Sequence, residues 1–465
     1  MVENYDYDVA ILGGGSAGYA AARTASGSGL RTVLIEGASQ IGGLCILRGC
    51  MPTKMLLHSA EVLHHANHAG QFGISAGKVG FDFPKVMELK DQFINDLAED
   101  RRQQLMESEF TFIRATAKFL DPHTVEIGNH RSLTAANFVI TTGSRVAPAR
   151  LDGLRAVGYL TSDTALGLKR LPESLIVLGG GPVAVEFAQF FARFGVRVTL
   201  LQRSNHILSN YDTDAAVVLE EVFRREGMQI YTDTELLRAT HEDGKKTIEF
   251  LHHGESVHVS ADEILLAIGR EANTSVLDLE KAGVASEEGR IGADPFMQTS
   301  VPHIYVAGDC TGSDDVVHLA VQQGEIAAHN IAHSNAMREL DARLSLAVVF
   351  TEPQVASVGM SEKTAKAHGV PFLAASHSFN NHGKSLIMQA LDGHVKLLAN
   401  PQSGEILGGA CVGPYGGELI HEIVAAMVKH MTVKELAAMP HYHPTLAEIW
   451  TYPAESLAAE IPDSK

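Results

Sequence analysis

The sequence has 465 residues, enough for about three domains, and its 45% hydrophobic and 20% charged residues are typical of globular proteins. A net charge of −18 argues against nucleic acid or an acidic membrane surface as a partner. Four cysteines are too few for a disulfide framework in a chain of this size, so we expect a reducing compartment.

The N-terminal segment, residues 1–8, is polar and acidic, with no basic region before an apolar run, so we expect no secretory signal. No apolar run reaches the roughly 20 residues that a membrane-spanning helix needs. The prediction is therefore a cytoplasmic protein with no membrane partner.

A first glycine-rich turn follows a predicted strand at 8–12 and precedes a predicted helix at 19–25. Gly13, Gly15 and Gly18 have the spacing of a dinucleotide-binding turn, in which the backbone approaches a pyrophosphate at the N-terminus of the helix. A second strand is predicted at 31–35, and Glu36 then stands about 20 residues past the turn, where a ribose-binding carboxylate belongs. This segment predicts a site for an unphosphorylated dinucleotide.

Cys45 and Cys50 come next, five residues apart in the segment 42–54. On an ideal helix this spacing separates Cα atoms by roughly 8–9 Å, whereas a disulfide needs about 4.4–6.8 Å. A bond between them therefore requires a distorted backbone and closes only a short loop, which makes it a poor staple and easy to reduce. We interpret the pair as a redox centre, and Cys310 and Cys411 as small buried residues.

The glycine-rich pattern returns about a third of the chain later. A strand is predicted at 175–178, Gly179 and Gly181 lie in the turn, helix begins near 185, and the next strand is predicted at 196–201. Gln202 occupies the position that corresponds to Glu36, and Arg203 follows it. Because a carboxylate suits a free ribose hydroxyl and a guanidinium suits a 2′-phosphate, the second site is predicted to prefer NADPH, with NADH still possible.

Two dinucleotide sites and a cysteine pair suggest electron flow from a nicotinamide through a flavin to a disulfide. On these motifs the chain resembles the FAD-dependent pyridine nucleotide–disulfide oxidoreductases, which include dihydrolipoamide dehydrogenase, glutathione reductase and mercuric reductase. Further motifs of that family occur in its order at 140–144, 268–270, 299–309 and 441–448.

The resemblance implies an α/β fold with two Rossmann-like dinucleotide-binding domains and a C-terminal α+β dimerisation domain. FAD would bind residues 1–152 with 274–345, NAD(P)H would bind 153–273, and 346–465 would form a homodimer. The partners would be the second subunit and a disulfide or dithiol substrate, small or protein-borne, with no nucleic acid.

The resemblance also implies the catalytic residues. Cys50 would lie against the flavin, Cys45 would attack the substrate, and His443 of the partner subunit would act as acid–base, held by Glu448. The chemistry agrees, because thiol–disulfide exchange needs a thiolate to attack and a proton for the leaving thiol.

Further residues are implied as cofactor contacts. Lys54 would lie near the flavin and pair with Glu186, and Asp309 and Ala117 would contact other parts of FAD. The predicted FAD contacts are Gly13, Gly15, Gly18, Glu36, Gly43, Lys54, Ala117, Gly143 and Asp309, and the predicted NAD(P)H contacts are Gly179, Gly181, Glu186, Arg203 and Gly269.

The substrate is left open between several classes. The segment 441–448 is most similar to dihydrolipoamide dehydrogenase, and the tail has no vicinal cysteines of the mercuric reductase kind, but Gln202 and Arg203 are unusual for a dihydrolipoamide dehydrogenase. Leu47 and Arg48, between the cysteines, also depart from the family pattern. The alternatives are a glutathione reductase-like enzyme, a reductase of metal ions such as mercury or copper or of an oxidant, and, more remotely, a non-catalytic regulatory protein.

A histidine-rich helix follows the cysteine motif. Glu61, His64, His65 and His68 share part of it, and the spacing of His64 and His68 is compatible with a metal site. A polar helix face explains the same pattern, so no metal is predicted.

Overall fold

The structure is a computed structural model, and it describes residues 5–313 and 315–462. The chain divides into two compact units, Met1–Met55 with Pro84–Pro148 and Gly269–Asp341, and Leu56–Phe83 with Ala149–Ile268 and Ala342–Lys465. The three-domain boundaries expected from the sequence stay a prediction.

The elements of the first third are β1 (Tyr7–Leu12), α1 (Ser16–Gly27), β2 (Thr32–Glu36), α2 (Gly43–Arg48), α3 (Cys50–His68), α4 (Phe83–Met106), β3 (Thr111–Arg114), β4 (Ala117–Asp121), β5 (Thr124–Ile127), β6 (Arg131–Ile140) and β7 (Ser144–Val146). The middle of the chain forms α5 (Leu154–Val157), β8 (Leu160–Thr161), α6 (Ser162–Ala165), β9 (Ser174–Leu178), α7 (Pro182–Arg193), β10 (Arg197–Leu201), α8 (Thr213–Arg225), β11 (Gln229–Tyr231), β12 (Thr234–Glu242), β13 (Lys245–His252), β14 (Glu255–Ala261) and β15 (Glu263–Leu266). The remainder forms β16 (Arg270–Ala272), β17 (Ile304–Val306), α9 (Val317–Ala332), β18 (Leu346–Val349), β19 (Gln354–Gly359), α10 (Glu362–His368), β20 (Leu373–Ser378), α11 (Gly383–Met388), β21 (His394–Ala399), β22 (Ile406–Gly413), α12 (Gly416–Val428), α13 (Val433–Ala438) and α14 (Thr451–Glu460).

The first unit contains a seven-stranded sheet in the order β3-β2-β1-β6-β5-β4, with β17 paired to β6. Strands β3, β2, β1, β6 and β17 pair in parallel, whereas β4 and β5 are antiparallel additions. The central strands are apolar on both faces and almost completely buried, as expected for strands covered on both sides.

The second unit holds a parallel five-stranded sheet, β11-β10-β9-β15-β8, and an antiparallel layer, β12-β13-β14. A further antiparallel sheet, β18-β19-β22-β21-β20, packs its buried face against α12, α13 and α14 around a core that includes Trp450. The parallel sheet confirms the second Rossmann-like domain, and the last sheet with its helices confirms the α+β C-terminal domain.

Each predicted strand begins and ends within one residue of the observed strand, which is β1, β2, β9 or β10. Both predicted helices begin too late, because α1 begins at Ser16 and α7 at Pro182, inside the glycine turns. Amides in the first turn of a helix have no partner within the helix, so starting the helix in the turn aims them at a ligand.

Candidate active site

The two glycine turns have nearly the same backbone geometry. Gly13 has a φ of +113° and Gly179 of +114°. A Cβ placed on Gly13 would lie 2.4 Å from the Thr141 carbonyl oxygen, and one on Gly179 would lie 2.3 Å from that of Ala267. Both positions therefore require glycine for the same reason, a close approach of the turn to the neighbouring strand.

The turns also leave an open side that suits a pyrophosphate. Among the described atoms none lies within 4 Å of a Cβ placed on Gly15 or Gly181. A Cβ on Gly18 would lie 1.9 Å from the Gly13 carbonyl oxygen, which explains the third glycine of the first turn. The residues present fit a dinucleotide at each turn.

The second strand of each dinucleotide-binding segment has a different side chain at its end, a carboxylate at Glu36 and an amide at Gln202. Oε2 of Glu36 accepts a hydrogen bond from the Gly14 amide at 2.8 Å. Gln202 packs in the equivalent place, with its Cδ 3.0 Å from a Cβ built on Gly180. The structure therefore places Glu36 and Gln202 as the sequence alignment of the two turns predicts.

Arg203 lies on the surface beside an open cavity of about 380 Å³. His253 also lines this cavity, as do the acidic residues Asp233 and Glu235. The guanidinium of Arg203 would attract an anionic group in this cavity, whereas the carboxylates of Asp233 and Glu235 would repel it.

Two glycines bring the cysteine loop against the first turn. Gly42 and Gly43 have φ values of +141° and +70°, a region that favours glycine. A Cβ placed on Gly43 would lie only 2.8 Å from Cα of Gly15. Gly43 therefore allows the loop that carries Cys45 to touch the turn where the pyrophosphate is expected.

The helix breaks between the two cysteines. Cys45 lies in α2, which ends at Arg48, and Cys50 begins α3. Gly49 forms the break, and a Cβ there would lie 3.0 Å from the Leu44 carbonyl oxygen and 3.3 Å from Cα of Cys45. This break supplies the backbone distortion that the five-residue spacing requires.

Cys45 and Cys50 are half-buried free thiols that hydrogen-bond to each other. The hydrogen bond with Cys50 raises the pKa of Cys45 most, burial raises it further, and the Lys54 ammonium lowers it. With its pKa raised, Cys45 needs a base before it can attack as a thiolate.

Arg101 is a residue near this pair that the sequence did not reveal. Its guanidinium lies 4.0 Å from the ring centroid of Tyr19. Burial lowers the pKa of Arg101, and electrostatic interactions with Tyr19 and Cys45 oppose that shift. No motif marks Arg101, because it comes from α4, about fifty residues further along the chain.

The two unusual residues between the cysteines behave differently. Leu47 folds back over its own loop, with Cγ 3.0 Å from a Cβ built on Gly42. Arg48 is exposed, and the Lys54 ammonium lowers the pKa of Cys45.

Asp309 lies in a polar network of the first unit. It accepts a hydrogen bond from Oγ of Ser144 at 2.5 Å, and Nε of Arg270 donates to the same hydroxyl at 2.8 Å. Gly143 has a φ of +69°, and its carbonyl accepts from the Asn273 amide. Two neighbouring motifs, 140–144 and 268–270, therefore meet here and orient Asp309.

The remaining predicted cofactor residues lie at strand ends and on a helix. Ala117 begins β4, and Gly269, with a φ of +127°, immediately precedes β16. Glu186 is buried in α7, where its Oε1 accepts from the Phe350 amide at 2.9 Å. Its predicted pairing with Lys54 stays a prediction.

His443 and Glu448 form a close pair in the second unit. Oε2 of Glu448 lies 2.9 Å from Nδ1 of His443, and Oε1 lies 3.2 Å from the same nitrogen. The His443 side chain is 77% exposed, whereas that of Glu448 is 10% exposed. A buried carboxylate thus holds one ring nitrogen and leaves Nε2 of His443 towards solvent.

A second histidine contacts the same carboxylate. His382 is fully buried, and its Nε2 lies 3.3 Å from Oε1 of Glu448. Its Nδ1 lies 2.8 Å from Oγ of Ser385. Burial lowers the pKa of His382, which keeps the ring neutral at pH 7. No sequence signal separates His382 from the other 22 histidines.

The other residues singled out in the sequence have structural surroundings. His441 is buried against Glu422, with Nε2 2.6 Å from Oε1. Cys310 and Cys411 are fully buried, as predicted, and burial raises the pKa of Cys310 to about 11. The rings of His64 and His68 contact each other in a tilted arrangement, with centroids 4.1 Å apart and an interplanar angle of 31°, which supports the polar-face interpretation for that pair.

Two dinucleotide turns and a cysteine pair held against the first of them define a class, the flavin- and nicotinamide-dependent enzymes with a redox-active dithiol. The comparison with known families agrees. The pyridine nucleotide-disulphide oxidoreductase model matches residues 7–324, and the dimerisation domain of the same family matches residues 345–454. The chain belongs to this family, and its cofactors are FAD and NAD(P)H.

The relatives include two activities at equal identity. The chain is 35% identical to dihydrolipoyl dehydrogenase of Bacillus subtilis, over 95% of this chain and 96% of the relative. It is also 35% identical to mercuric reductase of Streptomyces lividans, over 98% and 97%. The family is therefore clear, while identity alone does not choose the substrate.

Solved structures give the same picture. The Cu(II) complex of the HOCl-induced flavoprotein disulfide reductase RclA from Escherichia coli matches with a TM-score of 0.85 and 26% identity, over 97% of this chain and 99% of that one. LpdA from Mycobacterium tuberculosis matches with a TM-score of 0.87 and 27% identity, over 97% and 99%. Within the described residues, no helix combines the length and apolar character needed to cross a bilayer.

Proposed function

We propose that this oxidoreductase uses NAD(P)H, with a preference for NADPH, to reduce a disulfide substrate through Cys45 and Cys50, in the manner of dihydrolipoamide dehydrogenase. FAD binds at the first glycine turn and the nicotinamide at the second. The enzyme works as a cytoplasmic homodimer in which His443 serves the cysteine pair of the partner subunit.

The observation that carries this proposal is the helix break at Gly49, between Cys45 in α2 and Cys50 at the start of α3, where a Cβ would lie 3.3 Å from Cα of Cys45. The loop reaches the first dinucleotide turn through the contact between Gly43 and Gly15. A pair placed there can accept electrons from a flavin and offer one sulfur to a substrate.

When bound, FAD relays two electrons from NAD(P)H to the disulfide of Cys45 and Cys50. With two protons, this opens the disulfide to two thiols. Cys45 then attacks a substrate sulfur as a thiolate, which forms a mixed disulfide and releases the first substrate thiol. Cys50 attacks the sulfur of Cys45, re-forms their disulfide and releases the second thiol.

The acid–base role falls to His443 because Cys45 does not ionise readily by itself. Its raised pKa means that Nε2 of a histidine must take the proton before attack and return it to the leaving thiolate. Glu448 fixes Nδ1 as the protonated nitrogen, so Nε2 is the free base. His382 supports Glu448 from the buried side, with Ser385 holding its Nδ1.

The NADPH preference rests on Gln202 and Arg203. Gln202 lacks the charge that would repel a 2′-phosphate, and Arg203 borders the open cavity beside it. Gln202 and Arg203 are equally compatible with a glutathione reductase-like activity. Lipoamide and oxidised glutathione are therefore both tested as substrates.

A second candidate function is the reduction of a metal ion by the same dithiol. It is favoured by the 35% identity to a mercuric reductase and by the structural similarity to RclA, which was solved with Cu(II). Because electron transfer to a metal ion releases no substrate thiolate, such an activity would not need His443 as the acid that protonates a leaving group and should depend on it less than disulfide reduction does. The physiological direction of electron flow is a further outcome of these assays.

The central test is anaerobic reduction of the purified holoenzyme with NADPH or NADH. Two electrons should produce a long-wavelength absorption band from a Cys50 thiolate beside oxidised flavin. Cys50→Ser should abolish this band, whereas Cys45→Ser should keep Cys50 as the thiolate. Cys411→Ala, far from the pair in sequence, serves as the control and should leave the band unchanged.

Steady-state assays then assign the substrate. The panel contains lipoamide, oxidised glutathione, other small disulfides, Hg²⁺ and Cu²⁺, each with both nicotinamides. The proposal is supported if the parent enzyme turns over a disulfide and the His443→Gln variant does not. Absence of the band in protein with bound flavin would contradict the dithiol mechanism, and turnover confined to metal ions and independent of His443 would select the second candidate.

A further inference from the structure

Glu61, His65 and Glu352 bring three potential metal ligands together in the second unit. Nε2 of His65 lies 3.7 Å from Oε1 of Glu61 and 3.4 Å from Oε1 of Glu352. We propose that these three atoms form a binding site for a divalent cation of the Zn²⁺ type, separate from the dithiol. This proposal is independent of the one for the catalytic reaction.

The distances suit coordination better than direct hydrogen bonding. Zinc bonds of about 2.0–2.2 Å at tetrahedral angles place neighbouring ligand atoms about 3.3–3.6 Å apart. The two separations at His65 are close to this range and are long for an N–H···O hydrogen bond, which is usually about 2.7–3.2 Å. The two separations at His65 are therefore compatible with ligands of one tetrahedral ion, and all three ligand atoms lie within 4.8 Å of one another.

Each carboxylate has its other oxygen held by a basic side chain. Oε2 of Glu61 lies 3.1 Å from Nδ1 of His58, one turn earlier on α3. Oε2 of Glu352 accepts from Nη1 of Arg193 at 2.5 Å. The Oε1 atom of each carboxylate faces His65. Supporting hydrogen bonds of this kind are typical of carboxylates that bind metals.

Glu352 is fixed by its backbone as well. Its amide donates to Oε1 of Gln189 at 2.8 Å, and its carbonyl accepts from Nε2 of Gln189 at 2.7 Å. Arg193, which is almost fully buried, also binds Glu226 at 2.7 Å. The position of Glu352 is therefore determined before any cation binds.

The ligand types select the class of cation. One imidazole and two carboxylates suit borderline ions such as Zn²⁺, and two carboxylates offset the charge of the ion. The His65 side chain is 57% exposed, so a water molecule has access to complete the coordination. His64 and His68, the pair with metal spacing in the sequence, contact each other through tilted rings and are not among the three clustered ligands.

Such an ion would connect α3 to the segment just before β19. Glu61 and His65 lie one turn apart on α3, whereas Glu352 follows β18. A ligand that binds only the folded state raises its stability, so Zn²⁺ should raise the melting temperature of the protein.

The test is Zn²⁺ titration of the oxidised holoenzyme carrying Cys45→Ser and Cys50→Ser, which removes competing thiols. Bound Zn²⁺ is measured by competition with a chromophoric chelator, together with the melting temperature. His65→Ala and Glu61→Gln should each weaken binding at least tenfold and remove the thermal shift. His68→Ala, a histidine on the same helix, is the matched control and should bind as the parent does.

Diffraction at the zinc absorption edge gives an independent readout. We expect an anomalous peak about 2.0–2.2 Å from the two Oε1 atoms and from Nε2 of His65. Unchanged affinity in both His65→Ala and Glu61→Gln, or a peak only at other residues, would overturn the proposal. Because these two side chains are largely on the surface, the variants should fold, and their flavin content checks this.

Discussion

The carboxylate of Glu448 lies 2.9 Å from Nδ1 of His443, with the carboxylate buried and the imidazole exposed. This contrast fixes the direction of the ring. The buried partner holds one nitrogen, and the exposed nitrogen is available to a substrate. Because Glu448 holds Nδ1, the ring of His443 keeps a defined orientation although it lies on the surface, and it can therefore act as a base through Nε2.

Replacing His443 by Gln should lower steady-state disulfide turnover by about 10²–10⁴-fold, the usual contribution of a general acid–base. Glu448→Gln keeps the shape of the carboxylate and should cause a smaller loss, because the ring is still positioned but its cation is no longer stabilised. Stopped-flow measurement of reduction by NADPH is the internal control and should change little. A uniform loss in both half-reactions would point to misfolding rather than to acid–base chemistry.

His382 should influence the pH dependence of disulfide turnover through its contact with Glu448. The Nε2 atom of a neutral His382 lies 3.3 Å from Oε1 of Glu448, and an N–H dipole placed there weakens the attraction of this carboxylate for a protonated His443. His382→Leu should therefore strengthen that attraction and move the acid limb of kcat/KM for the disulfide to higher pH.

Ser385→Ala should move the acid limb in the same direction by less, because it removes only the group that orients His382. His368→Asn, on the exposed helix α10, is the control. An unchanged pH profile in a folded His382→Leu enzyme would show that His382 only fills space.

Arg203 should decide the choice of nicotinamide. Removing a charged hydrogen bond costs about 1.5–3 kcal/mol, so Arg203→Ala should lower kcat/KM for NADPH by roughly ten- to a hundredfold and leave NADH nearly unchanged. Gln202→Glu should shift preference towards NADH, because its carboxylate would mimic Glu36 of the first turn. Arg197→Ala, exposed at the start of β10, is the matched control; an equal loss with both nicotinamides in Arg203→Ala would contradict the assignment.

Lys396 should stabilise the second unit in a pH-dependent way. Its Nζ lies 2.9 Å from Asp212 and 2.6 Å from Asp214, and its side chain is 4% exposed. Burial alone would raise the pKa of both aspartates, but hydrogen bonds from Lys396, and from His394 in the case of Asp214, lower it. Lys396→Met should cost about 3–5 kcal/mol, because it leaves a buried charge without its partner.

The sign of the pH dependence follows from those lowered pKa values. The stabilisation is complete above the ordinary aspartate pKa of about 4 and is lost as the pH falls through the lower folded-state values. The melting temperature of the parent should therefore fall more steeply on acidification than that of Lys396→Met. Parallel curves for the two proteins would show that the ion pairs contribute nothing to acid stability.

Much of the fold could be predicted because local patterns determine it. The turns at Gly13 and Gly179 are flanked by short apolar strands and helices, and this arrangement identifies two Rossmann-like units without any tertiary information. The motif at Cys45 and Cys50 is equally local. Its spacing alone predicts a broken helix, and the structure shows where the break occurs, at Gly49.

Residues that act across the fold were not predictable in this way. Arg101, His382 and the carboxylate of Glu352 reach their neighbours from elements distant in sequence, and none belongs to a motif. The metal hypothesis shows the limit most clearly. Sequence spacing suggested His64 and His68, but the rotation of the helix turns His65 towards Glu352 instead.

The sequence by itself determined the family chemistry of this protein: two dinucleotide turns, a reducible cysteine pair and a histidine with its carboxylate. The turns and the cysteine pair are short and contiguous, so spacing reveals them, whereas the family resemblance implies the pairing of His443 with Glu448. Only the tertiary structure decided how buried each group is and which charges surround it. Burial and charge raise the pKa of Cys45, orient His443 against Glu448 and place two carboxylates beside His65, because electrostatic effects depend on distance in space and not along the chain.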